Sequence, residues 1–324
     1  MDPIPAPYRR SSLWMFLVFA AAAAAILFTD CIRLPLIPEH SASSAGMPSP
    51  EVSAPSPADT ETICCNTASG AEDILNILLI GQDSHEGEAQ SRSDSIILCT
   101  FHIPQQTLTM TSILRDLYVP IPGHRSNRIN AAYASGGTLL LEQTLQENFN
   151  IAIDGSVVVD FTHFPKLIDL LGGVELPLRA DEAEAINSSV PGMLTEGTCL
   201  LNGDQALTYV RIRKLDNEGD FGRTERQRKL LQALLMSYRT AEIPQLLQLI
   251  RESLSMVSTN MERKQIWRTA RRLIPILSDL QITQQCIPAE GTYSYETIRG
   301  MCVLAADLDA ARKLLENTIH PPTS

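Results

Sequence analysis

The stretch that most limits how this chain can fold is residues 211–227, RIRKLDNEGDFGRTERQ. It packs Arg211, Arg213, Arg223 and Arg226 beside Lys214, Gln227 and four acidic residues, with apolar helical sequence on both sides. Arg211 and Arg213, two residues apart, point to one face of an extended chain. Arg223, Arg226 and Gln227 fall at i, i+3 and i+4, on a helix face that continues into Leu230, Leu231 and Leu234. The guanidinium groups are therefore expected at the N-terminal end of a helix, on the side that packs on the core.

A guanidinium held against a core needs an anion, because breaking a buried ion pair costs roughly 3–5 kcal/mol. Two sources compete. Asp216, Glu218, Asp220 and Glu225 supply carboxylates from within the segment. A ligand phosphate is the alternative, since planar forked donors match its oxygens and a helix N-terminus adds positive potential. The segment alone leaves both open.

The rest of the chain makes this a local positive site on an acidic protein. Net charge is -11 and the pI is about 5.0, which argues against nucleic acid as the main partner. The seven cysteines show no zinc-like spacing. Cys99 alternates within an apolar strand and reads as core. Cys286 and Cys302 flank a turn-rich stretch and are a candidate disulfide if that part lies outside the cell.

Arg9 and Arg10 precede an uncharged run, residues 13–29, LWMFLVFAAAAAAILFT. As a helix it spans about 25 Å, slightly short of a hydrocarbon core of roughly 30 Å. A cleaved signal peptide competes with a retained anchor. Large residues at 26–28 sit where cleavage wants small ones, and Asp30 before Cys31 spoils a lipoprotein signal. We expect a single-pass membrane anchor with residues 1–12 cytoplasmic and the remainder extracellular, following the basic flank. Residues 30–70, rich in Pro, Ser and Ala, read as a disordered linker.

The folded part is expected as a domain over residues 71–238, with residues 239–324 a helical and hairpin extension packed on it. Residues 74–80, ILNILLI, are a buried strand ending in Gly81-Gln82-Asp83. Arg92-Ser93-Asp94 opens the next strand, so Asp83 and Asp94 close one loop. Two neighbouring carboxylates call for a cation or a proton, and Mg²⁺ shared with ligand phosphates fits the pattern. A third strand, residues 107–113, delivers Arg115 and Asp116. Helices follow at 138–149, with leucines 139, 140, 141 and 145 on one side, and at 164–171. A capped helix is expected at 202–210, and others at 224–238, 243–256 and 262–277. Strand, turn, strand and a closing helix end the chain. Strands and helices mix without strict alternation. The expected fold is α/β of the α+β type, a mixed, largely antiparallel central sheet covered by helices, behind a transmembrane helix.

Taken in order, GQD (81–83), RSD (92–94), SILRD (112–116), RINAAY with GG (128–137), LLGGV (170–174), LNGDQALTYVRIR (201–213) and DFGRTERQ (220–227) form a pattern. On these motifs the chain resembles the LytR-CpsA-Psr family of cell-wall glycopolymer ligases, over about half its length. The resemblance implies transfer of a glycan, such as teichoic acid or capsule, from a polyprenyl-pyrophosphate carrier to peptidoglycan through a phosphodiester, with Mg²⁺ assisting. It places Asp83 and Asp94 with the metal. It places Arg92, Arg115, Arg211, Arg213, Arg223 and Gln227 at the pyrophosphate, with Asp116, Asn130, Asp220 and Arg226 in support. One of Asp83, Asp94 and Asp116 is the expected base. It also implies a prenyl groove between sheet and helices, where apolar helices alone read as ordinary core. Leu114 stands where the family usually has proline, and Arg128 where it has lysine. A non-catalytic polyprenyl-phosphate binding module and a pyrophosphate hydrolase would carry the same site. A transcriptional regulator fits neither the outward topology nor the acidic charge.

Overall fold

The computed structural model describes residues 73–83, 92–213, 215, 219–237, 239, 252 and 256–320. The expected anchor, its linker and the helix at 243–256 lie outside these, apart from single residues at the end of the last. Among the described residues no helix is long and apolar enough to cross a membrane.

The frame is a six-stranded sheet. Strands β1 (Ile74–Asp83), β2 (Arg92–His102) and β3 (Thr107–Ile113) form an antiparallel meander. Strand β4 (Tyr118–Val119) pairs with β5 (Asn127–Arg128) beside it. Helix α1 (Asn130–Phe149) leads to β6 (Gly155–Asp160), which joins β1 in parallel. Next come α2 (Phe164–Leu170), β7 (Val174–Leu178), α3 (Ala180–Ser189), β8 (Gly197–Leu201), α4 (Gly203–Arg211) and α5 (Asp220–Ser237). Strand β9 (Val257–Thr259) pairs antiparallel with β6, and α6 (Arg263–Leu273) runs into a 3₁₀ turn, Ile274–Asp279. Strand β10 (Gln281–Ile287) adds to β3 in parallel, before the hairpin β11 (Tyr293–Ile298) and β12 (Met301–Ala306) and helix α7 (Leu308–Ile319). Sheet order is β10-β3-β2-β1-β6-β9, mixed and largely antiparallel, as the sequence leads one to expect.

Both faces of the sheet are buried, so its central strands need apolar residues at every position. Along β1, Ile77 and Leu79 face a core built with α2, α5 and α6, whereas Leu78 and Ile80 face one built with α1 and α7. Residues beyond 238 are not a layer added to a finished domain. They supply both edge strands, β9 and β10. Sequence cannot reveal this, because the pairing is non-local and the strands are short.

Four local details differ from expectation. Helix α1 begins eight residues early and breaks at Gly136-Gly137, where Gly137 has φ 63°. Leu139 is exposed, while Leu140, Leu141 and Leu145 are buried. Strand β8, just ahead of the expected helix at 202–210, pairs antiparallel with β7. Cys286 and Cys302 are both free thiols. Cys286 faces α5, in contact with Thr224 and Arg228, whereas Cys302 is exposed on the hairpin.

Candidate functional site

The start of β2, the end of β3 and the start of α5 converge at one edge of the sheet. Each is placed by a local device. At Gly81/Gln82 the β1–β2 register shifts by a bulge. A side chain on Gly81 would crowd Ser95 Cβ at 3.0 Å and the Phe161 ring at 3.4 Å, so glycine eases the close approach there. Leu114 is fully buried and its N–H donates to Ile287 O at 2.9 Å, a bond that proline could not make. That bond extends the β3–β10 ladder by one residue and fixes the departure point of Arg115. Helix α4 is capped by Asn202 and Gln205 in a reciprocal box, the device legible in the sequence.

Arg115 sits at the centre of the cluster. Its Nη1 is 2.6 Å from Asp94 Oδ1, and its Nε is 3.0 Å from Asp220 Oδ2 and 3.8 Å from Asp116 Oδ2. Burial opposes its charge, but the Asp94 hydrogen bond and the three carboxylates outweigh burial and raise its pKa. Arg223 is 2% exposed. It donates to Asp220 Oδ2 and to the Asp94 carbonyl, each at 3.2 Å, and its buried Nε has no partner. Burial brings its pKa down to about 10, helped by Arg115 and Arg213 and opposed by Asp220 and Asp94. Arg213 is looser. Its nearest carboxylate oxygens are on Asp220 and Asp94, at 3.8 and 4.0 Å, and its side chain is 44% exposed. Arg211 lies over the Phe161 ring at 4.7 Å. Gln227 accepts from Ser95 Oγ at 2.9 Å.

An apolar cavity of about 90 Å³ runs between the sheet and the helices. Leu79, Ile97, Leu167, Leu171, Leu231 and Leu234 are among its walls. Phe161, Val210 and Gln227 line both this cavity and a neighbouring polar recess that holds Asp94, Arg211, Arg213 and Arg223. An apolar cavity therefore adjoins a cluster of guanidinium donors. The sequence gives no sign that Phe161 divides the two compartments, because its position depends on β6 lying beside β1.

Several expected site residues are placed elsewhere. Arg226 is buried away from the recess, with Nε 2.8 Å from Glu182 Oε1 and Nη1 3.4 Å from Ile212 O. Asn130 is buried at the start of α1, its backbone N–H donating to Arg115 O at 3.3 Å, and so it supports Arg115 from behind. Asp116 is 3.3 Å from Arg128 Nη1, an ion pair on the far side of Arg115 from Asp94. Asp83 and Arg92 are opposite each other in the β1–β2 ladder. Their side chains, like Asp216 and Glu218, lie outside the described residues.

The internal-anion and ligand-anion readings are thus both partly met. Four guanidinium groups (Arg115, Arg128, Arg213, Arg223) meet three carboxylates (Asp94, Asp116, Asp220), before Arg211 is counted. Glu225 pairs instead with Lys229 at 2.7 Å on the surface. Among the described residues no group of three or more acidic, histidine or cysteine side chains could by itself hold a metal ion. Asp94 pairs with Arg115 at 2.6 Å and its Oδ2 lies 4.0 Å from Arg213 Nη2, so a cation at this carboxylate would need further oxygens from ligand phosphates.

A two-faced α/β domain with an apolar slot opening beside clustered arginines is the class of protein that this fold and site define. The chain belongs to the LytR_cpsA_psr family, whose model matches residues 44–319. It is 34% identical over 223 residues to the regulatory protein MsrR of Staphylococcus aureus (strain Mu50), covering 68% of this chain and 66% of that one. It is 38% identical over 171 residues to the polyisoprenyl-teichoic acid–peptidoglycan teichoic acid transferase TagT of Bacillus subtilis (strain 168), covering 51% of this chain and 52% of that one. The chain thus spans between half and about two thirds of the length of these relatives. A solved structure of the LytR-CPS2A-psr family protein YwtF (TagT) with bound octaprenyl pyrophosphate lipid superposes with a TM-score of 0.60 at 28% identity, over 79% of this chain and 94% of that chain.

Proposed function

We propose that this protein is a membrane-anchored, extracellular phosphotransferase that moves a glycopolymer from a polyprenyl-pyrophosphate carrier to a peptidoglycan hydroxyl. The observation that carries the reading is the shared lining of the two compartments: Phe161, Val210 and Gln227 border both the apolar cavity and the arginine recess. An amphiphile with a long apolar tail and a diphosphate head matches that junction. The TagT relative named for this transfer and the octaprenyl pyrophosphate complex support it.

In this reading the prenyl chain occupies the cavity and excludes water behind the reacting phosphorus. Arg211, Arg213 and Arg223 face the diphosphate, and Arg115 holds Asp94 and Asp220 in place. The acceptor oxygen bonds to the glycan-linked phosphorus, the P–O bond to the prenyl phosphate breaks, and the hydroxyl proton passes to a carboxylate of the Asp94–Asp220 pair. Charge grows on the departing prenyl phosphate, where preorganised guanidinium groups are worth most. Asp94, with Asp83 across the β1–β2 turn, would hold Mg²⁺, which when bound supplies further positive charge at the phosphates.

The test incubates the full chain in detergent with lipid-linked glycan, Mg²⁺ and peptidoglycan fragments. Phosphodiester-linked product is expected. Arg213→Ala, whose side chain is exposed and loosely paired, should lower transfer by about 10²-fold or more with the fold intact. Stable lipid binding without product would favour a binding module, and free phosphorylated glycan would favour a hydrolase.

A further inference from the structure

The charged cluster continues into an aromatic group at the opposite end from the lipid cavity. Phe221 follows Asp220 in the first turn of α5, and its ring stacks on Tyr293 of β11 at 4.9 Å between centroids. Tyr293 and Tyr295 alternate along the strand and so share a face. Their rings meet edge to face at 5.8 Å. Tyr295 is 64% exposed, an unusual position for a large aromatic ring braced by Tyr293, which Phe221 backs in turn. The hairpin is tied to the site. Leu304 N–H donates to Asp116 O at 2.9 Å, and Arg128, paired with Asp116, donates to Cys302 O. Desolvation against its neighbours, Tyr293 and then the charges of Asp220 and Asp116 hold the Tyr295 hydroxyl above its ordinary range.

Along helix α5, Asp220 and Phe221, the latter stacked on Tyr293, share the first turn, Arg223 follows, and Gln227, Leu230, Leu231 and Leu234 lie further on at the cavity. In a phosphoryl transfer the attacking and leaving oxygens lie roughly in line across phosphorus. With the prenyl phosphate leaving toward the cavity, the attacking hydroxyl arrives from the aromatic end. We propose that Tyr295, backed by Tyr293 and Phe221, is the acceptor subsite, stacking on a pyranose ring of the peptidoglycan glycan next to the attacked phosphorus. The C–H face of a pyranose suits the negative face of an aromatic ring. This assignment of Tyr295 rests on the transferase reading above.

The experiment measures two things on the full chain in detergent. The first is direct binding of a β-1,4-linked N-acetylglucosamine tetramer, by saturation-transfer NMR. The second is acceptor and donor KM in the transfer assay. Tyr295→Ala should weaken tetramer binding and raise acceptor KM about tenfold each, with donor KM unchanged. Tyr295→Trp should restore both. The subsite is overturned if wild type does not bind the tetramer, if Tyr295→Ala binds it as wild type does, or if donor KM rises in parallel. Because binding needs no turnover, a wild type that binds through Tyr295 yet transfers nothing would sink the transferase reading and leave the sugar platform standing.

Discussion

Arg226 Nε and Glu182 Oε1 are 2.8 Å apart, with their side chains only 4% and 6% exposed. This pair joins α5 to the start of α3, where the Glu182 side chain also accepts from the Arg179 backbone N–H at 3.1 Å. It converts one guanidinium of the arginine-rich segment from a ligand contact into a structural one. Removing one partner strands a buried charge. Arg226→Ala or Glu182→Ala should each destabilise the fold by roughly 3–5 kcal/mol, read as a lower urea midpoint. The double change Arg226→Met with Glu182→Leu should recover most of that loss. A single variant within about 1 kcal/mol of wild type would remove the structural role assigned to the pair.

Arg115 has the opposite character. Three carboxylates surround it, and two of them, Asp94 and Asp220, also face Arg213. Arg115→Ala leaves those carboxylates facing each other and the incoming phosphates. Transfer should fall by about 10²-fold or more, and Arg115→Lys should not restore it, because one ammonium cannot bridge two carboxylates in a fork. Transfer kinetics of both variants, with circular dichroism as the folding control, decide the matter.

How far the sequence reaches can be judged from these two arginines. Local patterns were legible: the β1–β3 meander, the Asn202–Gln205 box, and the periodicity that sets Arg223 beside Gln227 on the inward face of α5. Periodicity says that Arg226 faces inward too, but not which anion it meets. That is decided by α3, whose Glu182 lies 44 residues away in the chain. For the same reason β9 was hidden, and β10, legible as a strand, gave no sign that it pairs with β3 at the sheet edge. The cavity was legible only as an excess of apolar residues on the helices, and its mouth at Phe161 was not legible at all.

Cys286 makes a separate prediction. Burial raises its thiol above the ordinary 9.0, although Arg228 and Thr224 pull the other way. The unfolded chain ionises this thiol at its ordinary value, so the folded state holds the proton more tightly. The contribution to stability is therefore flat below about pH 9 and falls as pH rises above it. At pH 8, alkylation mapped by peptide mass spectrometry should label exposed Cys302 roughly tenfold or more faster than Cys286. A Cys286–Cys302 disulfide recovered from non-reduced protein would contradict the two free thiols.

The cavity can be closed from one side. Leu231 is partly buried and lines the slot, whereas its neighbour Leu230 is 1% exposed and locked in the core. Leu231→Trp places a large ring where the apolar chain would lie, with less strain than the same change at a fully buried site. Lipid extracted with the purified protein and quantified by mass spectrometry should fall by about tenfold or more, and the thermal midpoint should move by no more than about 5 °C. Arg213→Ala should separate the two compartments. It weakens the grip on the head group but leaves the slot open, so bound prenyl lipid should persist without transfer. Undiminished lipid in Leu231→Trp would mean that the chain lies elsewhere, and the link between the apolar slot and the arginine recess would lose its meaning.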